Sequence, residues 1–397
     1  MSKFLTLAFY FFATFLQAGT YGLTFLLPLL FREFGANEKD VGNVLMATTI
    51  ATLVTIYFLG HVTAMLGRVN TIGLASIIIA VSLFLFGYLS VIGPMHYLAG
   101  IFLGIGWAMF YVLTPVVLTE ITKKSERIRI FTLLSIFIMA GFGLSPVLGN
   151  YLVKAGYAIN ITFTISSVLC LISGITFIGL RRALTTLSHG DSVNDDSGLN
   201  WTSIKAVLCS RAARPIIMVG LGASVFAAVT NFQTIYAQQN GLDYANYFLA
   251  YTATVIVCRF LFAEFIGGRS PYGTITLLLA VMLTSVLCFI FFTDSSLLYV
   301  LGAVLFGIGY GVSYPIVKAM AANDSEPELM SKTMQIFGFS YFIGVFGFPF
   351  IAGWIITTKG MILLLVAAAG MSALECILAA RRYFRDRWLD SMKQSGK

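Results

Sequence analysis

The sequence predicts an all-α membrane protein with twelve transmembrane helices in two six-helix repeats and both termini in the cytoplasm. Three observations support this fold. Of the 397 residues, 58% are hydrophobic and only 11% are charged, which is too apolar for a soluble domain. Apolar stretches of about 20 residues, the length that spans a bilayer, recur along the whole chain. Finally, the second half of the chain repeats landmarks of the first.

The predicted spans form two groups on either side of one long polar segment. We predict an N-terminal half at 1–180, a cytoplasmic loop at 181–214, a C-terminal half at 215–381 and a cytoplasmic tail at 382–397. Within the loop, apolar residues recur at helical spacing after Asn200, which predicts a short capped helix on the membrane surface. The twelve spans are predicted at 4–31, 41–60, 71–92, 95–118, 130–153, 159–180, 215–237, 245–266, 272–293, 296–318, 334–357 and 361–381.

The internal repeat is visible in the glycine-rich stretches. The sequence LGIGW at 103–107 recurs about 203 residues later as FGIGY at 306–310, and Gly141 recurs as Gly344. Small residues allow helices to approach closely in lipid, so these glycines predict tight helix contacts. Paired membrane repeats are also how secondary transporters form a solute site between their halves. The repeat therefore favours transport over chemical transformation.

The charge distribution gives the orientation of the chain. The formal net charge is +8, a value that in a soluble protein suggests nucleic-acid binding. Here most Lys and Arg residues lie in segments that fall on the same side of the membrane when successive spans cross it in turn, for example at 123–129 and 381–387. This is the positive-inside pattern. It excludes nucleic acid as a partner and predicts a multi-pass protein of the bacterial inner membrane.

Enzymatic chemistry has no support in the sequence. The five cysteines are scattered, and none forms a CxxC or Cys/His spacing that binds metal. No nucleophile–base pair, metal cluster or phosphate-binding loop is recognisable. We therefore expect no catalytic residues, no metal, no cofactor and no enzyme activity.

The chain resembles the major facilitator superfamily over essentially its whole length. The loop after the second span, GHVTAMLGRV at 60–69, keeps the family's turn glycine and one arginine as Gly67 and Arg68, with Ala64 and Met65 where the family has an acidic residue and its neighbour. The stretch GYGVSYP at 309–315 is similar to the tenth helix of sugar, drug and metallophore permeases of this superfamily. The resemblance implies alternating access, with spans 1, 4, 7 and 10 lining a central cavity.

Polar and aromatic residues lie near the middle of those four spans, where polar side chains should face protein or water. Aromatic rings with hydroxyl groups are suited to hold an organic solute by stacking and hydrogen bonds. The predicted substrate-binding residues are Gln17 and Tyr21 on span 1, Trp107 and Tyr111 on span 4, Asn231 and Gln233 on span 7, and Tyr310, Tyr314 and Lys318 on span 10.

Arg259 is the most informative single residue. It lies about eight positions from the inner end of span 8, roughly 12 Å into the membrane. Placing an arginine there costs on the order of 3 kcal/mol, so a compensating interaction is expected. One hypothesis is a bidentate pair with a carboxylate or phosphate of the substrate. The other is a salt bridge, or snorkelling, near the inner gate. Lys318 has the same two interpretations, substrate binding or snorkelling.

Gating and coupling residues are predicted at the inner ends of helices. They are Arg68, Glu120, Glu264 and His61. No acidic residue lies near the middle of spans 1, 4, 7 or 10. Proton coupling would therefore use Glu120, Glu264 or His61. Otherwise the charge of the substrate would take its place, or coupling would be absent. Glu375 is expected to pair with Arg381 or Arg382 within span 12.

These observations predict a permease that moves a small polar organic solute across the inner membrane by alternating access. Arg259 and Lys318 favour an anionic solute, such as a carboxylate-type siderophore or a related metabolite. The alternatives are a multidrug or metabolite exporter and, from another class, a lipid flippase or a non-transporting receptor. The expected partners are a small-molecule substrate, the lipid bilayer and, where coupling exists, protons. We expect a monomer.

Overall fold

The computed structural model describes residues 2–123, 126–187, 200–262, 271–292 and 295–395, and in these ranges it contains helices and no strands. Eleven of the described helices are long and apolar enough to cross a membrane. The 19-residue helix Tyr244–Phe262 is not one of these eleven and stands at the position predicted for span 8. The all-α membrane fold is thus confirmed.

The N-terminal half follows the predicted order of spans. Span 1 begins as Lys3–Gly22, passes through a 3-10 turn at Leu23–Leu26 and continues as Leu27–Glu33. The other five are Glu38–Leu66, Arg68–Tyr88, Pro94–Ile121, Arg127–Lys154 and Ile159–Leu187.

The C-terminal half has the same number of spans and more interruptions. Span 7 consists of Ala213–Asn231 and Gln233–Gln239, and span 11 of Met330–Phe342, a π-helical segment Ile343–Gly347 and Phe348–Lys359. The remaining spans are Tyr244–Phe262, Pro271–Phe291, Ser296–Asn323 and Met361–Ser395.

Helix ends follow local sequence signals. Asn37 caps span 2 by accepting from the backbone N–H of Asp40, whose carboxylate accepts in return from the N–H of Asn37. Gly67, with φ 77°, ends the same span in a conformation that favours glycine. The predicted surface helix is Trp201–Cys209, and Asn200 caps it. Span 12 continues through the predicted tail to Ser395, because the tail contains good helix formers.

Equivalent glycines of the two repeats make equivalent contacts. A Cβ at Gly104 of span 4 would overlap the carbonyl oxygen of Thr48 on span 2. Its counterpart Gly307 of span 10 lies against span 8, where a Cβ would be 3.0 Å from the carbonyl oxygen of Tyr251. The glycines thus allow the backbones to touch, as the sequence predicted.

The bundle has two faces, a basic face and an opposite face. Spans 2, 4 and 10 end at the basic face, at Gly67, Thr122 and Asp324. The opposite face holds the turns at Gly35, Gly156 and Gly360. The halves meet along two seams, one between spans 5 and 8 and one between spans 2 and 11. The candidate site lies between these seams.

Candidate functional site

A cavity of about 270 Å³ lies between the two halves. Its described lining comes from spans 4, 5, 7, 8, 10 and 11, at levels between the middle of the bundle and the basic face. Pro315 and Lys318, on the side toward that face, are exposed. The lining residues are Phe110, Tyr111, Thr114, Pro115, Phe131, Leu134, Ser135, Ile138, Met139, Phe142, Phe226, Tyr251, Arg259, Tyr310, Tyr314, Pro315, Lys318 and Tyr341.

Arg259 lies in the cavity wall and links the two halves. Its Nε donates to the carbonyl oxygen of Gly311 at 3.2 Å, and its guanidinium also donates to the hydroxyl of Ser135 on span 5. Both partners are uncharged. None of the described carboxylates lies within salt-bridge distance of Arg259. Its positive charge is therefore oriented by hydrogen bonds without being neutralised by them.

Lys318 is the second cation of the cavity. It lies two turns beyond Gly311 on span 10 and lines the same space as Arg259. The described part of the lining contains no Asp or Glu. Two positive charges on the wall of an aromatic space create a field that favours an anion.

Tyrosine hydroxyls supply the remaining polarity of the wall. Tyr111 and Tyr314, equivalent positions in the two repeats, meet across the halves with 2.8 Å between their hydroxyl oxygens. Tyr341 of span 11 stacks on Tyr111 at 5.7 Å. Tyr310 stacks on Phe226 of span 7 at 4.7 Å. The result is a ring-lined space with hydroxyl groups from both halves.

Five of the ten predicted substrate-binding residues line this cavity: Tyr111, Arg259, Tyr310, Tyr314 and Lys318. Tyr251 and Tyr341, which are not among the predicted residues, line it as well. Apart from Arg259, the predicted residues all lie on the first span of each three-span group, whereas spans 5, 8 and 11 also contribute to the wall. The signal available was a tyrosine near the middle of an otherwise apolar span.

Trp107 and Tyr21 lie behind the wall. Their rings stack on each other at 5.0 Å and both are buried. Trp107 also lies 5.6 Å from Phe142 and 6.1 Å from Tyr111, both of which line the cavity. In this conformation the pair supports the wall from inside the N-terminal half.

The three predicted amide residues are also buried away from the cavity. The Gln17 side-chain oxygen accepts from Cys170 Sγ at 2.9 Å. Asn231 donates to a carbonyl oxygen of its own helix, and Gln233 donates to the hydroxyl of Tyr299 at 3.0 Å. Gln17 and Gln233 thus join helices within one half, whereas Asn231 bonds within its own helix.

Of the predicted gating residues, Arg68 and Glu120 are brought together in a salt bridge at the basic face. The pair joins the start of span 3 to the end of span 4, within the N-terminal half. His61 is exposed on span 2, with its ring 6.3 Å from Phe58. Glu264 lies outside the described residues.

The opposite face carries polar contacts between the halves that the sequence did not reveal. Asp243, before span 8, accepts from Asn150 at 3.0 Å and from Lys154 at 2.5 Å, both on span 5. Arg32 pairs with Glu38 at 2.6 Å and donates to Gln238 at 3.4 Å. We call Arg32, Asn150, Lys154, Gln238 and Asp243 the opposite-face clamp. Each pair across the halves joins residues far apart in sequence, so no local pattern indicates it.

Close packing accompanies the clamp. On the seam of spans 2 and 11, a Cβ at Gly42 would lie 2.7 Å from the carbonyl oxygen of Pro349. A Cβ at Gly353 would overlap the backbone of Glu38. Together with the clamp, these contacts close the bundle on the opposite side of the cavity. The conformation is thus one whose central space is reached from the basic face.

Glu375 does not make the salt bridge expected from the sequence. Its side chain is buried, and it faces Gly222 of span 7 instead of Arg381 or Arg382. Residues six and seven positions further along a helix lie about 9 to 10.5 Å further along its axis. The expected pairing also required a side chain near the basic face, whereas that of Glu375 packs between two helices.

Two six-helix halves around a central space reached from one face define the architecture of a secondary transporter. The chain belongs to the Major Facilitator Superfamily, whose family model matches residues 7–349. This membership identifies a multi-pass membrane transporter of small molecules, which is not an enzyme, and confirms the resemblance inferred from the sequence.

Two curated relatives match part of the chain. They are the "Multidrug resistance protein B homolog" proteins of two Mycobacterium tuberculosis strains, CDC 1551 / Oshkosh and ATCC 25618 / H37Rv, each 33% identical over 145 residues. The match covers 36% of this chain and 25% of each relative. The chain therefore spans about a quarter of the length of the curated relatives it matches.

Solved structures share the fold over nearly the whole chain. The nucleoside transporter NupG superposes with a TM-score of 0.77 at 13% identity, covering 96% of this chain and 99% of that protein. The human organic anion transporter MFSD10 (TETRAN) superposes with a TM-score of 0.68 at 13% identity, covering 96% of this chain and 100% of that protein. At these identities the likeness concerns the fold alone.

Proposed function

We propose that this protein moves a small organic anion across the bacterial inner membrane by alternating access. One observation carries the proposal: Arg259 and Lys318 line the same cavity, and its described lining contains no carboxylate. Arg259 is partly buried, and removing a charge from water without a counter-ion is costly. A bound carboxylate or phosphate would supply the missing negative charge, so the affinity of the cavity should be selective for anions.

The size and lining of the cavity narrow the solute further. Ligand sites for drug-sized molecules usually measure about 300–1,000 Å³, and about 270 Å³ lies just below that range. A metabolite-sized carboxylate therefore fits this conformation better than a complete carboxylate-type siderophore. The tyrosine rings favour a solute with a planar or ring-shaped part and with hydrogen-bonding groups.

The direction of insertion is part of the proposal. We place the basic face in the cytoplasm because of the positive-inside rule. Cys209, at the end of the surface helix, is exposed. A membrane-impermeant thiol reagent should label Cys209 in inside-out vesicles and leave it unmodified in right-side-out vesicles, with Cys209→Ser as the control. Labelling in right-side-out vesicles alone would reverse the assignment.

The anion hypothesis is tested by ligand-induced thermal stabilisation of the purified protein. A ligand at 100 times its dissociation constant stabilises the folded state by about 2.7 kcal/mol. The screen uses pairs of small carboxylic acids and their uncharged amides, together with sugars and cationic drugs. We expect stabilisation by an acid and not by its amide.

Variants of the cavity then link binding to the site. Arg259→Ala should abolish the stabilisation by the acid, and Arg259→Lys should weaken it, because a lysine keeps the charge and loses the bidentate geometry. Arg182→Ala, which removes an exposed cation outside the cavity, is the matched control and should bind as the wild type does. A folded Arg259→Ala protein that binds and transports the acid normally would refute the proposal.

Export of uncharged or cationic organic compounds is the second candidate function. The partial match to the multidrug resistance protein B homologues favours it, and so do the aromatic walls of the cavity. The same screen separates the two candidates, because stabilisation by cationic drugs and not by organic acids would favour the exporter. Flux in vesicles of known orientation, with and without a proton gradient, then gives direction and coupling.

A further inference from the structure

A second polar site lies outside the cavity, between spans 12 and 7. Glu375 is 2% exposed and is not part of the cavity lining. A Cβ at Gly222 would lie 3.0 Å from one carboxyl oxygen of Glu375 and 3.2 Å from the other. The carboxyl group therefore packs directly against the backbone of span 7, in a space that exists because residue 222 has no side chain.

Two polar groups of this site have no partner in the described structure. The Oε2 atom of Glu375 and the Oγ atom of Ser372, about one turn earlier on span 12, are both buried without a hydrogen-bond partner. Ser372 is 0% exposed. Buried polar groups are rarely left unpaired without a functional reason. Their proximity makes the site a place where a small ligand would gain a favourable interaction.

Among the residues that the structure describes around Glu375, no cation forms a salt bridge with its carboxyl group. On span 9, the hydroxyl of Tyr272 donates to Asp324 at 2.6 Å, and the guanidinium of Arg382 lies 5.6 Å from the same ring. Arg382 and Asp324 are thus both engaged with Tyr272, nearer the basic face. The titratable groups on the described elements around Glu375 include Arg214 of span 7, Tyr272 of span 9, Tyr310 of span 10, Lys359 of span 11, and Cys376, Arg381, Arg382 and Tyr383 of span 12.

We propose that Glu375 is a proton-binding site and that its protonation controls how closely span 7 packs on span 12. An ionised carboxylate without a partner is strongly disfavoured in a dry, apolar environment. The packed arrangement is therefore the one that holds the proton. Loss of the proton to water creates a negative charge that needs hydration, so span 7 must separate from span 12 for the proton to leave.

Span 7 connects this proton site to the cavity. Phe226 lies one turn beyond Gly222 and forms part of the cavity wall, where it stacks on Tyr310 at 4.7 Å. A displacement of span 7 at Gly222 would therefore move the wall that holds the solute. The site and its ligand are separate from those of the proposed anion transport, so this inference is independent of the identity of the solute.

Proton binding is tested without any solute. Infrared difference spectra of the full-length protein in lipid nanodiscs, recorded between two pH values, report the C=O stretch of a protonated carboxylic acid and its shift in D₂O. We expect such a band in the wild type, its loss in Glu375→Gln, and its persistence in Glu328→Gln, which removes an exposed carboxylate. An identical band in the wild type and Glu375→Gln would overturn the assignment.

Glu375→Asp keeps the carboxyl group and replaces Glu375→Gln if the latter does not fold. It is then expected to shift the band.

A second measurement tests whether protonation of Glu375 is coupled to the cavity. Met139 lines the cavity, and a Met139→Cys substitution in a Cys209→Ser background reports the access of a thiol reagent. We expect its labelling rate, corrected for thiol ionisation, to change with pH in the otherwise unmodified protein and to become independent of pH in Glu375→Gln. Gly222→Ala, which presses a methyl group against the carboxyl, should shift the midpoint of the change. An unaltered pH profile in Glu375→Gln, or a response to Na⁺ at constant pH in its place, would overturn the coupling.

Discussion

The two seams between the halves are built differently. The seam of spans 5 and 8 has polar contacts at two levels, between Lys154 and Asp243 at the opposite face and between Ser135 and Arg259 at the cavity. The seam of spans 2 and 11 is dry and tight, and its close contacts occur at glycines. Polar partners can be exchanged for water or solute during a movement, whereas interlocked backbones must separate as a unit. We infer that the polar seam regulates access to the cavity and that the tight seam determines how the halves fit together when the opposite face is closed.

The largest effect is expected on the tight seam. A Cβ at Gly353 would overlap the backbone of Glu38, and overpacking of this kind costs about 1–3 kcal/mol. Gly353→Ala should therefore favour opening at the opposite face by about 5- to 150-fold. The measurement is the rate at which a thiol reagent, applied from the opposite face, labels Met139→Cys. Gly370→Ala, at a glycine with open space around it, is the matched control. Equal rates in the two variants would contradict the proposed role of this seam.

A smaller effect is expected on the polar seam. Asp243→Asn keeps an acceptor for Asn150 and removes the charge that pairs with Lys154. The side chains of Lys154 and Asp243 are 62% and 30% exposed, so solvent screens the pair, and its contribution is at most about 1 kcal/mol. Labelling of Met139→Cys from the opposite face should rise by about 2- to 5-fold, and the increase should shrink in high salt. In a double-mutant cycle with Lys154→Gln, additive effects would show that the pair does not hold the seam.

A still smaller effect is expected from the cation at the edge of the tight seam, and it tests whether charge or close packing holds that seam together. Lys39 Nζ lies 3.6 Å from the centroid of the Trp354 ring, at the edge of the tight seam. Lys39→Met keeps the aliphatic contact and removes the cation, which should cost about 0.5 kcal/mol, or about a 2-fold increase in the same labelling rate. A loss as large as that of Gly353→Ala would mean that charge, and not close packing, holds spans 2 and 11 together.

The smallest effect concerns a salt bridge that lies on neither seam. Lys3 donates to Glu126 at 2.7 Å, and this hydrogen bond lowers the pKa of the Glu126 carboxyl. A lowered pKa in the folded state contributes stability above the pKa of the unfolded chain, about 4.3, and loses it as the pH falls through the folded value. Lys3→Gln should remove that small acid dependence from thermal unfolding and leave the labelling of Met139→Cys unchanged. A change in the labelling rate would extend the gating network beyond the seams.

The sequence predicts those residues of the site whose signal lies within one stretch of chain. Arg259 and Lys318 stand out because a cation within an apolar stretch is rare, and both line the cavity. Tyr111 and Tyr314 stand out because the repeat places them at equivalent positions. Gln17 carried the same kind of signal, yet it is buried against Cys170. Polarity shows that a side chain avoids lipid, and it does not distinguish a cavity from a contact with a neighbouring helix.

The sequence by itself determined the number and order of the spans, the repeat and the tight glycine contacts. Hydropathy, helix caps and small residues act over a few turns of one helix, so each can be recognised within one stretch of chain. Only the tertiary structure decided that Asp243 meets Lys154, that Tyr251 and Tyr341 join the cavity wall, and that Glu375 faces Gly222. These arrangements depend on the rotation and tilt of whole helices, which follow from packing against several neighbours at once.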